Sequence, residues 1–180
     1  MPPAEIVSGE IFYEGEDLLK VSYEKHRALN GKKIAMIFQD PLGHLNPVYT
    51  VGWQIVEMMT AHCRPADMAR ARALELVTRV GIPEPEKAMH KYPHQFSGGQ
   101  RQRLMIAMAL MLKPDILIAD EPTTALDVTI QAEVLSLLKE LQAETGMALV
   151  LITHDLGVVA EIADRVVVMN KGEIVEAGVP

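Results

Sequence analysis

The sequence predicts an α/β protein with a parallel-sheet core and a helical segment set into it. Three observations carry this reading. Short continuous apolar runs, such as Ile116-Leu117-Ile118-Ala119 and Ala148 to Thr153, alternate with amphipathic helical stretches. That is the pattern of a parallel sheet covered on both faces. From Val51 to about Lys91 the periodicity is helical. The strand candidates end on polar residues, Gln39, Asp120 with Glu121, and His154, at the carboxyl edge where open α/β sheets hold ligands.

Taken in order, Gly9 to Tyr13 and Lys33 to Phe38 read as strands. The second runs into Gln39-Asp40-Pro41, and Pro41 and Asn46-Pro47 are expected to end regular structure there. Val51 to Ala61 is a candidate helix. Pro65 to Val80 is another: Pro65 sits near the first turn, Leu74, Val77 and Val80 share a face, and Gly81 follows as a cap. Pro83, Pro85 and Pro93 then divide the chain into short pieces. Ser97 opens a helix that runs to about Leu112, and Ile116 to Asp120 is a strand. Val128 to Ala143 is a helix with Ile130, Val134, Leu137, Leu138 and Leu141 on one side. Ala148 to Thr153 is a strand, Asp155 to Ala163 a helix and Val166 to Met169 a strand, and Lys171-Gly172 turns into Glu173 to Glu176. This assigns residues 1–46 and 103–180 to the α/β core and residues 47–102 to a helical subdomain. No internal repeat or low-complexity tract interrupts the pattern.

The 180 residues suit one domain and leave room for a small subdomain. A net charge of -7 argues against nucleic acid as main partner, because phosphate-backbone binding needs clustered Lys and Arg. The single cysteine, Cys63, allows no internal disulfide, so a reducing compartment and a buried or half-buried thiol are expected. Met1-Pro2-Pro3-Ala4-Glu5 does not open like a secretory signal. The apolar stretch from Leu104 to Leu112 is far shorter than the roughly 18 residues of a membrane span. If the protein works at a membrane, other chains must cross it.

Ile116 to Asp120 would hold a carboxylate rigidly at a strand end, where Asp120 could hold Mg²⁺ through water. Glu121, one residue on, could polarise an attacking water as general base. Acids after a strand are also turn formers and helix caps. Phe96-Ser97-Gly98-Gly99-Gln100 places an N-cap serine and two glycines before a helix. Such a terminus offers unobstructed N–H groups to phosphate, or is simply a capped helix after a glycine turn. His154 could hydrogen-bond a terminal phosphate, or be structural. Asp127 reads equally as the cap of the helix from Val128.

Together these residues acquire a sharper meaning. Gln39, Ser97-Gly98-Gly99-Gln100-Arg101-Gln102-Arg103, Ile116 to Glu121, Ala125-Leu126-Asp127 and His154-Asp155 stand in the order and spacing of the Q-loop, signature motif, Walker B strand, D-loop and H-loop. The chain thus resembles the ATP-binding-cassette (ABC) ATPases over essentially its whole length. Gln39-Asp40-Pro41, Leu45-Asn46-Pro47 and Tyr92-Pro93-His94-Gln95-Phe96 resemble the subgroup serving dipeptide, oligopeptide and nickel importers. Phe96 stands where Leu is more usual, an apolar exchange of small consequence.

The resemblance implies a P-loop NTPase-like core and a head-to-tail dimer with a second ATP-binding subunit. Each ATP would lie between one chain's Walker motifs and its partner's signature helix. Asp120 would hold Mg²⁺, Glu121 activate water, and His154 contact the γ-phosphate. Gln39 would sense Mg²⁺ and couple to transmembrane permease subunits, which receive solute from a binding protein. Ser97, Gly98, Gly99 and Gln100 would contact the partner's ATP, and Asp127 would lie at the dimer interface. The implied location is the cytoplasmic face of the membrane.

One expected motif is missing from the 180 residues. A P-loop needs Gly, four residues, then Gly-Lys-Ser or Gly-Lys-Thr. The one Gly-Lys pair, Gly31-Lys32, is followed by Lys33, and His26 stands where the first Gly belongs. The family's adenine-stacking aromatic is missing too. Gly9 to Tyr13 is therefore expected to follow the P-loop helix, leaving the core incomplete at the N-terminal side. Gly178-Val179-Pro180 is expected to stop short of a further segment. Without the backbone cradle and its lysine, weak or no ATP binding and no useful hydrolysis are expected, with apolar surface exposed. Two other readings stay open: a soluble cassette ATPase acting on DNA or ribosomes, disfavoured by the acidic balance, and a non-catalytic module that only docks on partners.

Overall fold

The computed structural model describes residues 6–180 except 40, 63 and 125, and excludes the side chains of residues 41, 42 and 161. The readings of residues 1–5, Asp40, Cys63 and Ala125 thus lie outside the described residues. The chain opens with a hairpin of β1 (Phe12–Tyr13) and β2 (Glu16–Asp17), followed by α1 (Tyr23–Leu29). Glu14 and Gly15, at φ +49° and +82°, form the positive-φ pair that a two-residue primed turn needs. The predicted strand from Gly9 is therefore two residues long, and α1, capped by the Ser22 hydroxyl that accepts from Lys25 N at 3.3 Å, was not predicted.

A three-stranded sheet follows in the order β3 (Ile34–Ile37), β4 (Ile116–Asp120), β5 (Ala148–Ile152), with parallel pairing throughout. Between β3 and β4 lie α2 (Pro41–His44), α3 (Val51–Thr60), α4 (Ala66–Arg79), α5 (Pro85–Ala88), a 3₁₀ turn at Pro93–Gln95, and α6 (Gly98–Ala109). Pro41 opens a helical turn rather than ending structure, because a first-turn proline has no N–H to lose. α7 (Val128–Thr145) connects β4 to β5, and α8 (Leu156–Ile162) leads to an antiparallel pair, β6 (Val166–Asn170) and β7 (Glu173–Gly178). The predicted turn at Lys171-Gly172 joins this pair with φ +51° and +85°.

One contiguous core joins sheet and helices. Ala35, Ile37 and Leu117 pack in one cluster with Val51, Ile55, Val77, Leu104, Ile106, Val134 and Leu138. The buried face of α4 runs through Ala69, Ala73, Leu76 and Val77, with Leu74 only half-buried. The opposite face of the sheet differs from the expectation of cover on both sides. Met36, Val150 and Ile152 are 38%, 48% and 47% exposed, and Met36, Ile118 and Val150 are in register across it. Apolar residues on both faces of these strands produce continuous runs whether or not helices cover both faces. No helix among the described residues is long and apolar enough to cross a membrane.

Candidate functional site

Parallel pairing in consecutive order brings the carboxyl ends of β3, β4 and β5 side by side, with Asp120 opposite Ile152. The residues just past those ends meet. Gln39 Nε2 donates to Glu121 Oε2 at 2.7 Å. His154 Nδ1 lies 2.9 Å from Glu121 Oε1. An ionised carboxylate only accepts, so Nδ1 carries the proton. Glu121 is thus gripped from both neighbouring strand ends.

The backbone aims it there. Glu121 has φ +43°, a left-handed conformation that costs a non-glycine residue about 1–2 kcal/mol. Its N–H donates to Ile152 O at 2.9 Å, and the turn closes through Thr124 N to Glu121 O at 3.1 Å. Thr124 also donates its hydroxyl to Glu121 Oε2 at 2.8 Å. Sequence reasoning missed Thr124. Its signal was a hydroxyl three residues beyond a carboxylate in a turn, a common local bonding distance.

The His154 hydrogen bond, then that of Thr124, holds the Glu121 carboxyl below its ordinary value, against a smaller opposing push from burial. With its side chain 23% exposed, Glu121 is ionised and still reachable by water. Asp120 is half-buried, and its carboxylate has no hydrogen-bond partner among the described residues. A carboxylate left unpartnered in this way suits a Mg²⁺ that keeps several waters. No cluster of three or more His, Cys, Asp or Glu residues suited to a metal occurs among the described residues.

Ser97, Gly98, Gly99, Gln100 and Asp127 form a second assembly. Ser97 Oγ accepts from Gln100 N at 3.3 Å and Gln100 Oε1 accepts from Ser97 N at 3.1 Å, a reciprocal capping box. The N–H groups of Gly98 and Gly99 keep no acceptor among the described residues, which suits an anion at this terminus. Asp127 Oδ1 accepts from Ile130 N at 3.0 Å and caps α7. Among the described residues no hydrogen bond joins this assembly to Glu121 and His154. Gly31-Lys32 leads into β3 rather than a helix, with Gly31 N bonded to Ile34 O at 2.8 Å, so it forms no phosphate cradle.

These two assemblies stand on an α/β frame with a parallel-sheet core, consistent with a P-loop NTPase-like fold. A family model described as ABC transporter matches residues 3–124, and the chain belongs to that family. The oligopeptide transport ATP-binding protein OppD of Bacillus subtilis (strain 168) is 54% identical over 179 residues, covering 99% of this chain and 50% of that protein. The dipeptide transport ATP-binding protein DppD of Escherichia coli (strain K12) is 51% identical over 177 residues, covering 98% and 54% respectively. The chain spans about half the length of the curated relatives it matches. A dimeric ATP-binding cassette in a post-hydrolysis state, bound to ADP and Pi, superposes with a TM-score of 0.83 at 28% identity, covering 96% of this chain and 74% of that one. The cbiO1 cassette of Clostridium perfringens, described as part of the transporter complex cbiONQ, gives 0.83 at 32% identity, covering 96% and 66%.

Proposed function

We propose that this chain carries the water-activating and signature portions of an ATPase subunit that energises peptide uptake. The observation that carries the reading is the Glu121 carboxylate, ionised and clamped by Gln39, Thr124 and His154 at the carboxyl edge of the sheet. In this role Glu121 accepts a proton from the attacking water as the γ-phosphoryl group departs. His154 fixes the carboxylate through Nδ1 and presents Nε2 toward the phosphate. Gln39 links that carboxylate to the segment leading into the helices. Asp120 and the Gln39 carbonyl would hold Mg²⁺, which would supply positive charge to offset that of the phosphates.

Ser97, Gly98, Gly99 and Gln100 would face ATP held by a second cassette in a head-to-tail dimer, with Asp127 beside the junction. The similarity to OppD and DppD supports a peptide as transported solute, permease subunits as membrane partners, and a peripheral position on the cytoplasmic face. The 180 residues hold no Gly-x-x-x-x-Gly-Lys-Ser/Thr. Without that cradle these residues alone should neither bind ATP tightly nor turn it over.

The test replaces the 179-residue matched stretch of B. subtilis OppD with this chain. In cells lacking their own OppD, the chimaera is expected to restore oligopeptide uptake. Stable chimaera at the membrane without uptake would overturn the reading.

A further inference from the structure

The two signature glycines are glycine for different reasons. Neither has positive φ, so backbone freedom explains neither. A Cβ built on Gly98 would meet only Leu126 Cδ2 at 3.6 Å, an ordinary contact. A Cβ on Gly99 would lie 2.5 Å from Ile130 Cγ2, with Ile130 Cβ and Cγ1 at 3.8 and 3.9 Å. That methyl is not the end of a flexible chain. It branches directly from Cβ, and a β-branched residue in a helix has essentially one χ1 well. The backbone of Ile130 is fixed as well, because its N–H is bonded to the Asp127 cap.

We infer that Ile130 is a positioning residue that seats the signature turn, and that Gly99 lacks a side chain because Ile130 fills that space. The first turn of α6, with the amides of Gly98 and Gly99, and the first turn of α7, with Leu126 and Asp127, then form one rigid unit. Any displacement of the Asp127 region is passed to the amides at residues 98 and 99. This rests on the proposed role of Ser97 to Gln100 toward a nucleotide held by a second cassette.

The test is a mutant cycle with two readouts: thermal unfolding of the 180-residue chain and ATP turnover of the OppD chimaera. Gly99→Ala is expected to lower Tm by several degrees and to lower kcat about tenfold or more through misplacement of the turn. In an Ile130→Ala background, Gly99→Ala should cost little of either, relative to Ile130→Ala alone. Adding Ile130→Val, which keeps the methyl branches, should recover neither. Gly98→Ala should leave Tm unchanged. Recovery of Tm without recovery of turnover would overturn the positioning role, since Gly99 would then be bare for the nucleotide. No Tm loss in Gly99→Ala would overturn the steric contact itself. An unsubstituted chimaera without turnover would defeat the proposed function, while the Tm cycle would still decide the contact.

Discussion

At the scale of single residues, the site is an acid held by donors from three places in the chain. Each donor removes freedom from Glu121, and Thr124 does so from the turn the glutamate itself begins. A hydrogen bond to a charged acceptor is worth about 1.5–3 kcal/mol. Thr124→Val in the chimaera is therefore expected to lower kcat about tenfold with little change in KM for ATP, and Thr124→Ser to retain most of the rate. Steady-state kinetics of the two variants check this. Gln39, Asp120, Glu121 and His154 were legible in the sequence because strand ends in a parallel sheet must converge. Thr124 was not, because its role depends on the positive φ of Glu121.

A second residue-scale prediction concerns the opposite edge of the sheet. Asp115 accepts from Lys33 Nζ at 2.8 Å and from the Tyr13 hydroxyl. Lys33 first, then Tyr13, lowers the Asp115 carboxyl below its ordinary value. A folded-state value below the unfolded one makes this contribution fully present above the unfolded carboxylate range, about pH 4. It is lost as pH falls through the folded value. Tm measured from neutral pH down into that range should fall less steeply for Asp115→Asn than for the unsubstituted chain.

At the scale of elements, stability rests on helices whose apolar face meets the sheet. Leu138 is fully buried in α7, and Leu138→Ala should cost about 2–5 kcal/mol. Gly146 caps the same helix at φ +71° with open space where a Cβ would go. Gly146→Ala should therefore cost only the left-handed conformation, about 1 kcal/mol. Chemical denaturation separates the two. Elements with their own stripe were readable: α3, α4, α6 and α7 each bury several residues. α1 was not, because none of its residues is buried, so no apolar period marks it. The β1–β2 hairpin was missed because two-residue strands are too short to show alternation.

At the scale of the whole molecule, the carboxyl edge holds the Gln39, Glu121 and His154 cluster and the α6–α7 junction holds the capped turn of Ser97 to Gln100. The fold class followed from alternating strands and helices, whereas cover on both sheet faces did not, since apolar sequence does not say what lies against it. On the proposed reading the 180 residues lack a phosphate cradle. Calorimetric titration of this chain with Mg-ATP should therefore give no saturable heat, and clear binding abolished by Asp120→Ala would contradict that. The most direct test of the central claim is ATP turnover by the purified OppD chimaera with and without Glu121→Gln. The account predicts a hydrolysing chimaera and a variant that still binds ATP but turns it over at least about a hundredfold more slowly. Equal rates for the two would show that Glu121 does not activate the water.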